Sequence, residues 1–458
     1  MQIIFVTTLF QNSKIRNKKP FAFIKNILHN FVRMKAIPQF LLAAPSSGSG
    51  KTTVSVGLMG FLAGKGYKVQ PFKCGPDYID TKFHQKACSR PSVNLDSFFA
   101  NPNHIRQLYN RYSKEADICI VEGMMGLFDG YSRSRGSAAE IASILGIPVI
   151  LVVDAKSTAY SLAPLLKGFS DFSKDVKIIG VIFNKVGSAK HRRMLEEVCS
   201  DTGLEALGFI PKQNEVENRS RYLGLDFSKM QMVHSASGLI EGNVNVERLL
   251  ELTSAPLEGP TSEPTVEDKR KVLIASNEES FSFIYQEHLD GWRHKTFFNP
   301  EEDFEIPGDT DLLYLPGGYP EKHLDKLARY TKTMDSIRRY AQEGGRILAE
   351  CGGMMYLCRS IIADEGEYQM CGVLPYSVTA RKEERKLSLG YRQFSYNGLD
   401  LRGHEFHYTK FTDPQPESVA DVRDALGGST GTPVIRIDNT VASYTHLYWG
   451  GGDIFKIF

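Results

Sequence analysis

The chain has 458 residues, 42% hydrophobic and 24% charged, which is enough for two or three domains with their own cores and excludes a disordered protein. Residues 1–40 carry seven Lys or Arg and no acid, so the formal charge of +2 hides a remainder with 48 basic against 53 acidic residues, which argues against nucleic acid as a partner. Seven Cys without a C-x-x-C pair argue against a disulfide framework and a zinc site and point to the reducing cytoplasm, and the longest apolar run, Ile141 to Val153, is too short to span a membrane.

Residues 1–33 are read as a dispensable extension. Phe21 to Phe31 is apolar and basic, a composition that also suits an amphipathic or targeting segment. Met34, however, stands just before the first core strand, and a chain starting there is expected to fold and work.

Residues 34–252 read as a nucleotide-binding domain. The apolar run from Leu41 turns abruptly into Pro45-Ser46-Ser47-Gly48-Ser49-Gly50-Lys51-Thr52-Thr53, the order strand, phosphate loop, helix. In such a loop the N–H groups around Gly48 and Gly50 face phosphate oxygens, and the helix N-terminus adds its positive end. Lys51 then reaches the β- and γ-phosphates of ATP and the Thr52 hydroxyl meets Mg²⁺, while Thr53 continues into the helix. The motif's first Gly is replaced by Pro45. A helix over Val54 to Ala63 and a strand over Lys68 to Lys73 complete one βαβ step, ending in Lys73-Cys74-Gly75-Pro76-Asp77-Tyr78-Ile79-Asp80. Polar groups at a strand's carboxyl end are where ligands sit in open α/β sheets. The next strand, Asp117 to Val121, ends in Glu122, a carboxylate placed to hold Mg²⁺, followed by Gly-Met-Met-Gly-Leu-Phe and Asp129. Ile147 to Val153 and Val176 to Phe183 predict further buried parallel strands, the second leading to Asn184, whose amide suits an adenine edge.

Residues 253–270, with Pro256, Pro260 and Pro264, predict a linker. A second α/β domain is expected over 271–458, with strands at Lys271 to Ala275, Leu312 to Leu315 and Arg346 to Glu350. Cys351 follows the last of these and is itself followed by Gly352-Gly353, the pattern of a nucleophile on a tight strand-to-helix turn. Cys358 and Cys371 lack that context and read as core. The base for such a Cys is sought among His404 and His407, in Gly-His-Glu-Phe-His-Tyr, and His446 near the chain end.

From about residue 38 onward these segments resemble the cobyrinic acid a,c-diamide synthase family of corrinoid biosynthesis: Lys73 to Asp80, Glu122 to Gly130, Cys351 to Met355 and Gly403 to Tyr408 match its signatures in order. The resemblance implies a dethiobiotin-synthetase-like parallel-sheet ATPase domain joined to a class I glutamine amidotransferase domain of α/β type. It implies ATP- and Mg²⁺-dependent activation of the ring's c and then a carboxylates, as acyl phosphates, and their capture by ammonia from glutamine. Residue by residue, Lys51 and Thr52 fall on the phosphate loop; Asp77, Glu122 and Asp129 fall on acidic positions for Mg²⁺ and activation. Cys351 falls on the nucleophile, His446 on its base, and Gly318 and Gly352 on the oxyanion N–H donors. Lys73, Tyr78 and Asp80 belong with the substrate, His404 and His407 either with the substrate or with the structure, and a homodimer is compatible. Tyr448 stands where the class I triad has its Glu, which leaves a Cys–His dyad. The ring stays open at this stage among cobyrinic acid, hydrogenobyrinic acid and nickel-sirohydrochlorin, as does a cobyric acid synthase. A partitioning-type nucleotide switch is the rival from another class; it predicts a Lys where Ser46 stands and leaves Cys351 unexplained.

Overall fold

The computed structural model describes residues 36–212, 230–257, 269–412 and 414–458. The expectation for residues 1–33 therefore lies outside the described residues, as do positions 258–268 of the expected linker.

Seven strands form the first sheet: β1 (Ala36–Ala43), β2 (Val69–Cys74), β3 (Val93–Leu95), β4 (Ile118–Glu122), β5 (Val149–Asp154), β6 (Ile178–Val186) and β7 (Glu205–Pro211). They lie in the order β3-β2-β4-β1-β5-β6-β7, all parallel, with β1 at the centre. Successive side chains of a strand point to opposite faces, and β1 is apolar on both. Phe40 and Leu42 pack with Val54, Leu58 and Leu62 of the helix Lys51–Gly64, whereas Leu41 and Ala43 join Leu108, Ile141 and Ala142 on the other side. A sheet covered on both faces presents its loops at the carboxyl ends of the strands, and the phosphate loop leaves the central one.

β5 begins at Val149 instead of Ile147 because Pro148 has no N–H for the ladder; its carbonyl instead accepts from Leu41. Part of the stretch read as a linker lies within the described residues. Ser254–Pro256 forms β8, antiparallel to Ala36–Pro38, where β1 extends beyond its parallel neighbours and its edge groups need partners.

The second half contributes β9 (Lys271–Ala275), β10 (His294–Phe298), β11 (Leu312–Leu315) and β12 (Ile347–Glu350). There follow β13 (Cys358–Ala363), β14 (Gly366–Gln369), β15 (Leu374–Thr379), β16 (Ser388–Tyr396), β17 (Leu399–His407), β18 (Lys410–Phe411), β19 (Val434–Ile437), β20 (Thr440–Ser443) and β21 (His446–Tyr448). The main sheet has the order β10-β9-β11-β12-β20-β19, parallel except for the edge strand β19. β16, β17 and β21 form a small antiparallel sheet that carries His404, His407 and His446.

The two halves meet through an aromatic cluster in which Tyr78, Phe98 and Phe99 of the first pack with Phe283, Tyr285, Tyr319 and Tyr391 of the second. Tyr391 donates to Asp96 across the seam at 2.7 Å, and Arg402 donates to the Phe98 carbonyl. Among the described residues no helix is long and apolar enough to cross a membrane.

Candidate active site

Gly48 and Gly50 have φ of 86° and 93°, where a side chain would be strained, and a Cβ on Gly50 would also collide with the Asn184 amide. From the end of β6, Asn184 donates to the Ser49 carbonyl at 3.1 Å and accepts from Lys185 N–H at 2.9 Å. It thus braces the phosphate loop. No side chain caps the helix Lys51–Gly64, so its first N–H groups face the space where phosphates belong. Lys51 is buried and donates to the Met125 carbonyl.

Behind the loop, β2 and β4 are registered so that Lys73 and Glu122 are neighbours. The Lys73 ammonium lies 2.5 Å from Asp80, 3.1 Å from Glu122 and 3.9 Å from Asp77. Thr52 donates to Glu122 at 2.7 Å and lies 3.3 Å from Asp80, while Ser55 donates to the other Glu122 oxygen. Burial alone would lower the Lys73 pKa, but Asp80, Glu122 and Asp77 hold it well above the usual value. Burial would raise Glu122, yet Lys73 and His84 keep it well below the carboxylate range. Asp80 goes the other way: burial and then the Asp77 charge push it up to about 8 despite Lys73. Three carboxylates thus share the Lys73 ammonium.

This donor set fits Mg²⁺. A hydroxyl and two carboxylates within hydrogen-bond reach are hard oxygen donors, and the ammonium already marks a place where positive charge is stabilised. Among the described residues no group of three or more His, Cys, Asp or Glu forms a metal cage. Of the expected acids, Asp77 turns one oxygen to the N–H groups of Ile79 and Asp80, at 2.8 Å each. Asp129 is exposed and holds its own turn by accepting from Gly126 N–H at 3.0 Å, apart from the Lys73 cluster.

In the second half Cys351 sits between β12 and the short helix Gly352–Leu357 with φ 45° and ψ −107°, a strained conformation for a non-glycine residue. The turn is packed against the loop Pro316–Gly318. A Cβ on Gly352 would lie 2.9 Å from the Gly318 carbonyl oxygen and 3.0 Å from its nitrogen, and one on Gly353 would collide with the Leu315 carbonyl. The His446 ring rests on Gly317 of the same loop, so Cys351, the two candidate oxyanion glycines and His446 converge on one place. The Cys351 thiol is buried, which pushes its pKa well up, and burial lowers His446 to about 3. Both are neutral at rest. Neither ring nitrogen of His446 has a hydrogen-bond partner, so the Cys–His bond is not formed in this state. A looser pair before substrate arrives is common in such sites.

A cavity of about 620 Å³ lies between the halves, lined by Asp77, Tyr78 and Met125 from one side and Arg392, His404 and His446 from the other. Tyr78 stacks on Phe283 at 5.1 Å and lies 5.3 Å from the His446 ring. His404 faces this space and burial lowers its pKa to about 4. His407 does not line it: it stacks on Tyr444 at 3.7 Å and bonds the Thr409 carbonyl at 2.8 Å. Sequence reasoning missed His84, which bridges Glu122 at 2.6 Å and Ser92 at 3.0 Å, and Glu350, whose carboxylate is 4.0 Å from His446. Both had signals: His84 lies one turn after Asp80 on a helical face, and Glu350 adjoins Cys351.

Residues 40–223 match the CobQ/CobB/MinD/ParA nucleotide binding domain, and residues 285–454 the CobB/CobQ-like glutamine amidotransferase domain. The cobyrinate a,c-diamide synthase of Caldanaerobacter subterraneus is 38% identical over 81% of this chain and 86% of its own length. The hydrogenobyrinate a,c-diamide synthase of Brucella anthropi is 35% identical over 89% and 98%, and the cobyrinate a,c-diamide synthase of Saccharolobus solfataricus 35% over 92% and 100%. With both family domains matched in order and with relatives at least 35% identical over most of their own length, the chain belongs to the cobyrinate and hydrogenobyrinate a,c-diamide synthase family.

Proposed function

We propose that this protein amidates the a- and c-carboxylates of cobyrinic acid, or of its cobalt-free counterpart hydrogenobyrinic acid, with ATP and glutamine, as a cytoplasmic carbon–nitrogen ligase. Residues 34–252 serve as the synthetase unit and residues 271–458 as the amidotransferase unit. The observation that carries the reading is the shared cavity: Asp77 and Met125 on one wall stand beside the nucleotide groups, and His446 on the other stands beside the Cys351 turn.

A carboxylate reacts with ammonia only after one oxygen becomes a leaving group, and transfer of the γ-phosphoryl of ATP supplies one. The phosphate loop and Lys51 hold the phosphates in line with the ring carboxylate, which is where most of the rate comes from in phosphoryl transfer. Mg²⁺, when bound, neutralises charge on the phosphates. Thr52 and Glu122 would hold it with Asp80, and Lys73 would then be freed to face the carboxylate being activated. In the second unit Cys351 attacks the glutamine amide as His446 takes its proton, and Gly318 and Gly352 N–H groups receive the oxyanion. His446 returns the proton to the departing ammonia, which crosses the cavity to the acyl phosphate.

The test separates the nitrogen sources. Cys351→Ala is expected to lose glutamine-dependent synthesis and retain ATP-dependent amidation with concentrated ammonium at mildly alkaline pH, and His446→Ala to behave likewise. Full glutamine-dependent synthesis by Cys351→Ala would end this reading. Assays with each ring separately decide between the cobalt-containing and cobalt-free substrates.

A further inference from the structure

A histidine that serves as base needs its other nitrogen held, because the partner of that nitrogen fixes ring orientation and tautomer. At the expected place for such a partner stands Tyr448, and its hydroxyl is turned away to Glu287. Yet the His446 ring is not without an acid beside it. Glu350, the last residue of β12 and the one before Cys351, places a carboxylate oxygen 4.0 Å from Nδ1, with both side chains at most 2% exposed.

We propose that Glu350 is the positioning acid of the glutaminase site: it accepts from Nδ1–H of His446 and so leaves Nε2 to take the proton of Cys351. This rests on the amidotransferase reading above.

Three observations carry it. The Nδ1 and Nε2 atoms of His446 are buried and have no other partner. Glu350 is held on two sides, by the Tyr314 hydroxyl at 2.8 Å and by Leu447 N–H at 3.1 Å, so its position is fixed from β11 and from the strand that carries His446 itself. Its two oxygens have lone pairs left for a third donor. Closing the gap by about 1 Å makes the bond, a movement within reach of a side chain when glutamine seats. Burial lowers His446 to about 3, so the imidazolium formed as Cys351 gives up its proton is costly, and an acceptor on Nδ1–H offsets that cost. This acid lies on the strand that leads to Cys351, not on the strand of His446.

Glu350→Gln tests this in the full-length enzyme, because Gln keeps the shape and an acceptor for Leu447 but loses the carboxylate. The orienting acid of a serine triad is worth about 10⁴ in kcat, which sets the upper bound. The expected loss in glutamine hydrolysis is about 100-fold in kcat, with KM for glutamine and ammonium-dependent synthesis each within about twofold of wild type. Glu350→Asp, with the charge drawn back by one methylene, is expected to recover about tenfold of that loss. Hydrolysis within about threefold of wild type in Glu350→Gln would overturn the inference, as would equal loss of synthesis with ammonium, which means a structural role. Should Glu350→Gln not fold, wild-type kcat in Glu350→Asp overturns it and a tenfold loss at unchanged KM supports it. Cys351→Ala run beside these variants separates the two claims: hydrolysis that persists there defeats the amidotransferase reading itself, whereas an inactive Cys351→Ala with an active Glu350→Gln defeats only the role of Glu350.

Discussion

Lys51 and Glu122 illustrate how single residues differ in what they owe to their surroundings. Lys51 is placed by a local motif, and its ammonium, which donates to the Met125 carbonyl, is proposed to meet the charge that develops during phosphoryl transfer. Glu122 is placed by register, with Thr52, Ser55, Lys73 and His84 all directing hydrogens at its two oxygens. Lys51→Ala and Glu122→Gln are each expected to lower amidation about 100-fold or more with glutamine and with ammonium alike, in line with the loss of one preorganised charge-stabilising group. Glutamine hydrolysis should survive, and amidation near the wild-type rate would remove that residue from the mechanism. These differences also decide what was legible in the sequence. The phosphate loop, Lys73, Glu122 and Cys351 were legible because each lies at the end of an apolar run, where strand and turn chemistry coincide. Asp129 reads as an equal member of the acidic set, and one of its oxygens accepts from Gly126 N–H, three residues away.

At the scale of elements, two pieces of backbone carry the glutaminase geometry. The turn from β12 into the helix Gly352–Leu357 is compressed against Leu315–Gly318, and these neighbours are backbone atoms that cannot swing aside. Gly353→Ala is therefore expected to cost about 2 kcal/mol or more, in the upper part of the usual range for overpacking, and to abolish glutamine hydrolysis. Chemical denaturation beside a glutaminase assay measures both, and a variant as stable as wild type would show that the loop yields. The second element is β17. Its Glu405 is fully buried, 2.9 Å from Arg392 and 2.9 Å from the Thr445 hydroxyl, one residue before His446. Burial would raise Glu405, but His407 and Arg392 hold it at about 2, below its usual 4.5. A depressed carboxyl contributes stability that is present above about pH 4.5 and lost as pH falls toward 2, here of order 3 kcal/mol. Glu405→Gln should be less stable at pH 7 and should show a shallower loss of stability between about pH 5 and 3. Parallel slopes for variant and wild type would mean that Glu405 is not ionised by its neighbours as described.

At the scale of the whole molecule, the sequence predicts two α/β units but not how they meet. Tyr78, Phe98, Phe99, Phe283, Tyr285 and Tyr391 each look like ordinary core positions of their own segment, and their union is a property of the docked pair. The same holds for a polar knot at the edge of the seam. Glu287, buried, lies 2.9 Å from His104 and 3.4 Å from Arg111 of the nucleotide-binding half, and Tyr448 of β21 donates to it. Burial would raise Glu287, but His104 and Tyr448 keep it below the usual value, so the knot is charged at neutral pH. Tyr448 is two residues from His446, which ties the strand of the proposed base to the helix Pro102–Ser113 of the other unit.

Removing the buried acid of this network costs more than breaking a surface ion pair, because His104, Arg111 and Tyr448 are left half-buried without their shared partner. Glu287→Ala should therefore loosen the seam while leaving the phosphate loop, Cys351 and His446 untouched. Ammonia released at Cys351 would then escape before reaching the acyl phosphate. The quantity that reports this is the number of glutamines hydrolysed per amide formed, expected near one for the wild type and severalfold higher for Glu287→Ala, with ammonium-dependent synthesis within about twofold. Tyr448→Phe, which removes one hydrogen bond and no charge, should fall between the two. A ratio that stays near one in Glu287→Ala would mean that the aromatic cluster alone seals the passage. A fall in ammonium-dependent synthesis to the same extent as glutamine-dependent synthesis would mean instead that the knot supports the synthetase site and not the transfer between sites.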